Sequence, residues 1–385
     1  METKINKRYP LEVADIIQCS RLELERSRRL CSVQVKAMDD IVTCRTSEAG
    51  GHLNRCNTCG HQQPSYNSCR NRHCPKCQYI KQEQWVDKLK GRLIPGRYFH
   101  LVFTIPQQLN ALYYINQEVC YHLLFQSAWE ALQNAGKNPA FLGADVGAVA
   151  VLHTWGQTLT YHPHVHLLVP AGGLSEDQVE WIASPRKFFV PVKALSAMFR
   201  GIFVRYLRKH LDQKKLKLPE GFTGFQPLKE QLYRNNWNVY SKKAFGGMNS
   251  VLDYLGRYTH RVAITNNRLI SMADDKVTFR YKDYRKGNQQ QIMQLKAIEF
   301  TRRFLQHILP SGFYKIRYFG ILATTHIHTK REQAIGLVGK TILLPMLEGL
   351  SAYEVVRLLT GKDPALCPVC KKGLMMRYRG LRQLE

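Results

Sequence analysis

The sequence predicts an α+β fold: an antiparallel sheet of about five strands with helices packed on it, preceded by a helix and a four-cysteine zinc ribbon. Apolar runs of strand length at 98–105, 147–155 and 164–170 alternate with amphipathic helical stretches. Two Cys-x2-Cys pairs stand in a polar stretch that cannot build a core of its own. With 385 residues, 44% of them apolar, the chain can bury at least one sizeable core.

Taken in order, residues 8–43 read as helix, with apolar spacing in YPLEVADII and mixed charge in LELERSRRL. From Cys44 to Cys77 the texture turns to Cys, His, Asn and Gly. YIKQEQWVDKLKGRL is a helix ending near Pro95-Gly96, and RYFHLVFTIP a buried strand stopped by Pro106. QQLNALYYINQEVCYHLLFQSAWEALQNAG reads as one long amphipathic helix closed by Gly136. VGAVAVLHTWG and HVHLLVPAGG are two strands joined by a polar turn. KALSAMFRGIFVRYLRKHL is a basic helix, WNVYSKKAF a strand and MNSVLDYLGRYTHRV a helix. RLISMADDKVTFRYKDY is a hairpin turning at Asp274-Asp275. IEFTRRFLQHILP is a helix, FYKIRYFGIL a strand, and the last fifty residues are basic and loop-rich. The expected division is 1–95 for helix and zinc ribbon, 96–320 for the catalytic domain and 321–385 for a basic extension.

Charge narrows the partner. Fifty-six Lys and Arg against 29 Asp and Glu give a formal charge of +27, which favours a polyanion, because every phosphate neutralised releases condensed counterions. Nucleic acid is the expected partner. No stretch approaches the ~18–20 uninterrupted apolar residues of a membrane helix, and the N-terminus has no signal core, so a cytoplasmic, nucleoid-associated protein is expected. Six of the 11 cysteines form three Cys-x2-Cys pairs, the pattern of reduced thiolates on metal.

Cys56-x2-Cys59 and Cys74-x2-Cys77, with residues 60–73 between them, match a ribbon in which two knuckles close one tetrahedral structural Zn2+. Gly60 suits the tight turn after the first pair. Cys69, His73, His52 and Cys44 are the right types for a second zinc. Arg70 and Arg72 (with Asn71 and Lys76) are either phosphate contacts or a solvated charged rim around the ribbon. Cys367-x2-Cys370 is one knuckle without an obvious second, either completed by His326 and His328 or vestigial.

The sharpest chemistry lies in HTWGQTLTYHPHVHLLVP. His164 and His166 flank a valine in an apolar run, so on a strand both imidazoles share one face. Two neutral imidazoles are half of a divalent-metal site. The neighbouring strand should supply a third ligand, and both His153 and Gln157 qualify by hairpin geometry; His162 sits at the turn. A lone strand histidine is usually a packed or surface residue, but four histidines within residues 153–166 of a basic chain favour ligation. Ninety residues on, Tyr254 and Tyr258 are one helical turn apart. Such pairs are ordinarily packing pairs, yet Arg257, His260 and Arg261 make this face cationic, as a phosphate requires.

In this order, the YNSCRNRHCPKC ribbon, HPHVHLLVP and YLGRYTHRVAI resemble the bacterial rolling-circle insertion-sequence transposases of the two-tyrosine HUH class, with an N-terminal zinc-binding domain. The likeness runs from about Cys44 to Gly320, and RRFLQHILPSGFYKIRYFG resembles that family's C-terminal block. It implies an HUH-nuclease antiparallel sheet with the histidines on a central strand. It implies Tyr254 and Tyr258 as paired nucleophiles that cut single-stranded DNA, and Mg2+ or Mn2+ at His164 and His166. Imidazole ligands lean towards Mn2+, abundance towards Mg2+. Lys242 and Lys243 are candidate phosphate binders. The sequence has no Walker loop, so strand separation would fall to a host helicase or replication machinery. Replication initiators and relaxases share this chemistry; a non-catalytic zinc-ribbon DNA-binding regulator and a water-using metal phosphoesterase are rivals from other classes.

Overall fold

In a computed structural model of the chain, the described residues are 10–185, 190–245, 256, 262–283, 286–339 and 344–381. Two helices open it, α1 (Val13–Ser27) and α2 (Ser32–Thr43). The hairpin of β1 (Gly51–Cys56) and β2 (Gln62–Tyr66) follows, then α3 (Tyr79–Lys90) and β3 (Tyr98–Thr104). The segment expected as one long helix is two, α4 (Asn110–Ile115) and α5 (Gln117–Lys137). The break is at Asn116, with φ −129° and ψ 42°. Its side chain donates to the carbonyls of Leu112 and Lys217 and accepts from the Lys217 N–H at 2.8 Å. The helix is interrupted for this one residue, whose side chain holds a distant loop.

Next come β4 (Gly147–Trp155), β5 (Tyr161–Pro170), β6 (Gly172–Leu174), β7 (Trp181–Ala183), α6 (Val192–Asp212), α7 (Phe225–Tyr233) and β8 (Val239–Phe245). The hairpin β9 (Leu269–Ala273) and β10 (Lys276–Asp283) leads to β11 (Gln289–Lys296), α8 (Ala297–Leu305) and β12 (Ile316–Gly320). Asp274 and Asp275 both have positive φ, 48° and 57°, as a two-residue type I′ turn demands. Beyond β12 come α9 (Lys330–Val338), α10 (Ala352–Thr360) and β13 (Met375–Leu381).

The central sheet has five antiparallel strands in the order β12-β4-β5-β3-β8. Strand alternation divides its residues between two faces. Phe99, Leu101 and Phe103, Ala148, Ala150 and Leu152, and Val165, Leu167 and Val169 pack with α5 and α6 in the largest core. Burying each such phenylalanine contributes about 1.5–3 kcal/mol. On the opposite face, Tyr98, Val149 and Leu168 are covered by the end of α3 and by α9, through Leu89, Leu93, Ala334 and Ile335. The histidines occupy the other end of that face. A second core joins α1, α2 and α8 through Ile16, Ile17, Met38, Phe300 and Phe304.

Within 321–385, expected as a basic C-terminal extension, α9 packs on the central sheet and β13 returns to the N-terminal hairpin. β13 is hydrogen-bonded to β1, with Cys56 opposite Met375, forming the sheet β13-β1-β2.

Candidate active site

His153, His164 and His166 converge at one end of the central sheet, their nearest ring nitrogens within 4.8 Å of one another. The register explains the convergence: His153 on β4 lies directly opposite His164 on β5, and His166 is two residues along the same strand face. Gln157, the alternative third ligand, lies beyond the end of β4 in the turn to β5, where its carbonyl accepts from Arg268 at 2.6 Å. His162 is exposed at the start of β5, and its carbonyl accepts from His164 Nδ1 at 2.7 Å.

That bond fixes the His164 tautomer: Nδ1 carries the proton, so Nε2 presents its lone pair. His166 is oriented by a residue that pattern reading of the sequence missed. His100 on β3 sits 2.8 Å from His166 Nδ1 through its Nε2, with the rings stacked at 5.1 Å. Nδ1 is thereby committed, and Nε2 is the nitrogen His166 can offer a cation. A polar residue at an inward position of RYFHLVFTIP was the available signal for His100. Burial pulls His164 down to about 4 and His100 to about 3, with Lys242 adding to the effect on His100. Both are neutral at pH 7, the state a metal ligand needs. Three imidazoles on one rigid sheet face are a donor set that fits a divalent cation.

Lys242 is exposed on β8, opposite His100 in the ladder, and Tyr240 on the same strand meets His100 edge-on at 6.4 Å. Tyr254, Tyr258, Arg257 and Arg261 lie outside the described residues, as does the side chain of Lys243. Gly256, between the tyrosines in sequence, is buried, and a Cβ there would stand 3.2 Å from Val86 of α3.

The cysteines are grouped differently from the sequence expectation. Cys56, Cys59, Cys74 and Cys77 do not form one cluster. Cys74 and Cys77 join Cys44 and Cys69, while Cys56 and Cys59 join Cys367 and Cys370; in each tetrad the sulfurs lie within 4.8 Å of one another. The β1–β13 ladder is the reason, because it carries the C-terminal pair to the end of β1. His73 and His52 belong to neither tetrad. His73 Nε2 accepts from the Leu309 N–H at 3.2 Å, and His52 lies in the ladder between Ser65 and Gly380. His326 and His328 are likewise outside both tetrads. Four thiolates with tetrahedral reach are the donor set of a structural zinc.

Arg72 donates to the carbonyls of Pro310 and Phe313, tying the zinc segment to the approach of β12. With Arg70 it lines a groove of 490 Å³ that also holds Lys81, Trp85, Arg92, Tyr314 and Tyr318.

Comparison with known proteins identifies the family. A family model described as "Transposase zinc-binding domain" matches residues 6–105, and one described as "Putative transposase" matches residues 147–331. The chain is 42% identical over 380 residues to "Putative transposase y4qJ" of Sinorhizobium fredii, covering 95% of this chain and 94% of that protein. It is 31% identical over 311 residues to "Transposase for insertion sequence element IS801" of Pseudomonas savastanoi pv. phaseolicola, covering 76% and 71%.

Proposed function

The chain belongs to the family of bacterial insertion-sequence transposases with an N-terminal zinc-binding domain, and we propose that it nicks and rejoins single-stranded DNA through a 5′-phosphotyrosine. The observation that carries this reading is the convergence of His153, His164 and His166 on one sheet face of a strongly basic protein. No described helix is long and apolar enough to cross a membrane.

In the proposed reaction the phenolic oxygen of Tyr254 or Tyr258 attacks the scissile phosphorus in line. The bond to the 3′ oxygen breaks, that oxygen takes a proton, and the 5′ phosphate stays on the tyrosine. A free 3′ hydroxyl reverses the step without ATP, because the phosphotyrosine keeps the bond's energy. Two tyrosines let one hold the donor strand while the other cuts the target, as rolling-circle transposition requires. Mg2+ or Mn2+ bound by His153, His164 and His166 would supply charge neutralisation at the scissile phosphate. Arg257, Arg261, Lys242 and Lys243 are proposed to hold flanking phosphates. Strand separation is assigned to host replication enzymes.

The test is a covalent-adduct assay. Purified protein is mixed with labelled single-stranded DNA from the flanks of its gene, with Mg2+ or Mn2+, and run on a denaturing gel. A labelled band at protein mass should depend on metal, survive in one or both of Tyr254→Phe and Tyr258→Phe, and vanish in the double variant and in His164→Ala. Cleavage without adduct would put a water-using phosphoesterase in its place. Binding without any cleavage would leave a DNA-binding protein.

A further inference from the structure

The match to a zinc-binding domain ends at residue 105, yet two of the cysteines inside it have close thiol partners near the C-terminus. Cys56 Sγ is 3.7 Å from Cys370 Sγ, and Cys59 Sγ is 3.7 Å from Cys367 Sγ, although the latter pair is 308 positions apart in the chain. Sulfurs at the corners of a tetrahedron with Zn–S of about 2.3 Å are about 3.7 Å apart. A disulfide would need about 2.05 Å.

The backbones around the two pairs are built alike. After the second cysteine of each pair comes a left-handed residue, Gly60 with φ 73° and Lys371 with φ 57°. Gly60 N–H donates to the Cys56 carbonyl and Lys371 N–H to the Cys367 carbonyl, at 3.2 and 3.1 Å. Backbone N–H groups point at the sulfurs: Thr58 and Cys59 at Cys56, and Gly373 at Cys370, at 3.4–3.5 Å. Such donors stabilise a thiolate over a thiol. Gly373 must be glycine, because a Cβ there would stand 2.5 Å from Cys56 Sγ. Two knuckles facing each other, each with a lysine- or glycine-filled turn and sulfur-directed amides, are what a structural zinc site consists of.

We propose that Cys56, Cys59, Cys367 and Cys370 hold a second structural Zn2+ as a tetrathiolate, and that this ion staples β13 to β1. Binding releases the thiol protons and closes a loop that contains the whole central sheet. The ribbon is therefore assembled from both ends of the chain, and the first zinc sits on Cys44, Cys69, Cys74 and Cys77.

The experiment measures zinc by elemental analysis of the purified full-length chain, together with thiol alkylation under native conditions read by mass spectrometry. Wild type should carry about two zinc ions per chain, and Cys367→Ser/Cys370→Ser about one. Cys69→Ser/Cys77→Ser should also fall to about one, by losing the other ion. In native wild type, Cys59 and Cys370 should resist alkylation until a chelator is added, whereas exposed Cys19 and Cys31 react at once and serve as internal controls. Retention of both ions in Cys367→Ser/Cys370→Ser would overturn the proposal. So would free alkylation of Cys59 and Cys370 in zinc-loaded wild type, a result that decides the matter even if the variant fails to fold.

Discussion

One buried histidine supports the site and another lies outside it, and each is testable at its own position. His100 is a positioning residue: it orients His166 through the 2.8 Å contact between their ring nitrogens. His100→Phe keeps the stacking surface and removes the hydrogen bond. We expect Mn2+ affinity to fall about 10–100-fold, as loss of a supporting partner to a ligand histidine typically costs, with the melting temperature little changed and His100→Gln giving partial recovery. Titration with Mn2+ followed by paramagnetic relaxation measures it, and an unchanged affinity would reduce His100 to packing. His307 lies outside the triad, with Nε2–H donating to the Leu159 carbonyl at 3.1 Å and Nδ1 accepting from Thr154 at 3.2 Å. Burial draws its pKa down to about 4, below the value near 6.5 of an unfolded chain. Between those two values the unfolded state binds a proton that the folded state refuses, so stability is lost as pH falls through this window. By pH 5 the loss from this residue is about 2 kcal/mol relative to pH 8. His307→Gln should lower stability at neutral pH but flatten the acid decline; urea unfolding at pH 8 and pH 5 separates the two effects.

At the scale of elements, β12 is an edge strand whose attachment depends on one close approach. Gly320 ends it at φ 57°, and a Cβ there would meet the Val146 carbonyl oxygen at 2.0 Å and the Trp129 ring at 2.6 Å. Neither backbone nor a stacked indole can yield that far, and the left-handed conformation alone costs about 1–2 kcal/mol for an L side chain. Gly320→Ala should therefore destabilise by more than about 2 kcal/mol, whereas alanine at Gly336, where the space is open, should not. Which elements could be read from the sequence follows the same logic of local against distant causes. β3, β4 and β5 announce themselves as apolar runs, and the Asp274-Asp275 turn as a pair of residues that tolerate positive φ. His-x-His spacing alone sets His164 and His166 on one strand face, because alternation is local. The break at Asn116 is invisible locally, since its cause is the backbone of Lys217. Pairing Cys56 and Cys59 with the nearest downstream pair failed for the same reason. Three Cys-x2-Cys pairs and several single cysteines allow many groupings, and the β1–β13 ladder that selects among them joins residues more than three hundred positions apart. His100 was hidden by its neighbours: one histidine in an apolar strand looks like packing until the strand beside it is known.

For the molecule as a whole, a charge of +27 favours a polyanionic partner but does not say where it binds. We propose the groove between α3 and the approach to β12 as the location. Arg70 and Lys81 are exposed along it, Arg92 stacks over Tyr318 at 5.4 Å, and Tyr314 is 79% exposed. Cations alternating with accessible rings suit an unpaired strand, whose phosphates take the charge while its bases stack. The groove also adjoins the zinc segment on one side and the central sheet on the other, so a strand held there would run from the ribbon towards the nuclease. The two kinds of contact have different signatures. Arg70→Gln/Lys81→Gln should make the slope of log K against log salt shallower by about 1.4, two phosphates at about 0.7 each for single-stranded DNA. Tyr314→Ala should weaken binding by about 1–3 kcal/mol for any base while leaving the slope unchanged. Fluorescence anisotropy with a labelled oligonucleotide at several salt concentrations gives both quantities. If neither variant alters binding, the strand passes elsewhere and the excess charge acts only at long range. If the slope changes without any loss from Tyr314→Ala, the groove grips phosphates alone, and duplex DNA should then compete as well as single strands.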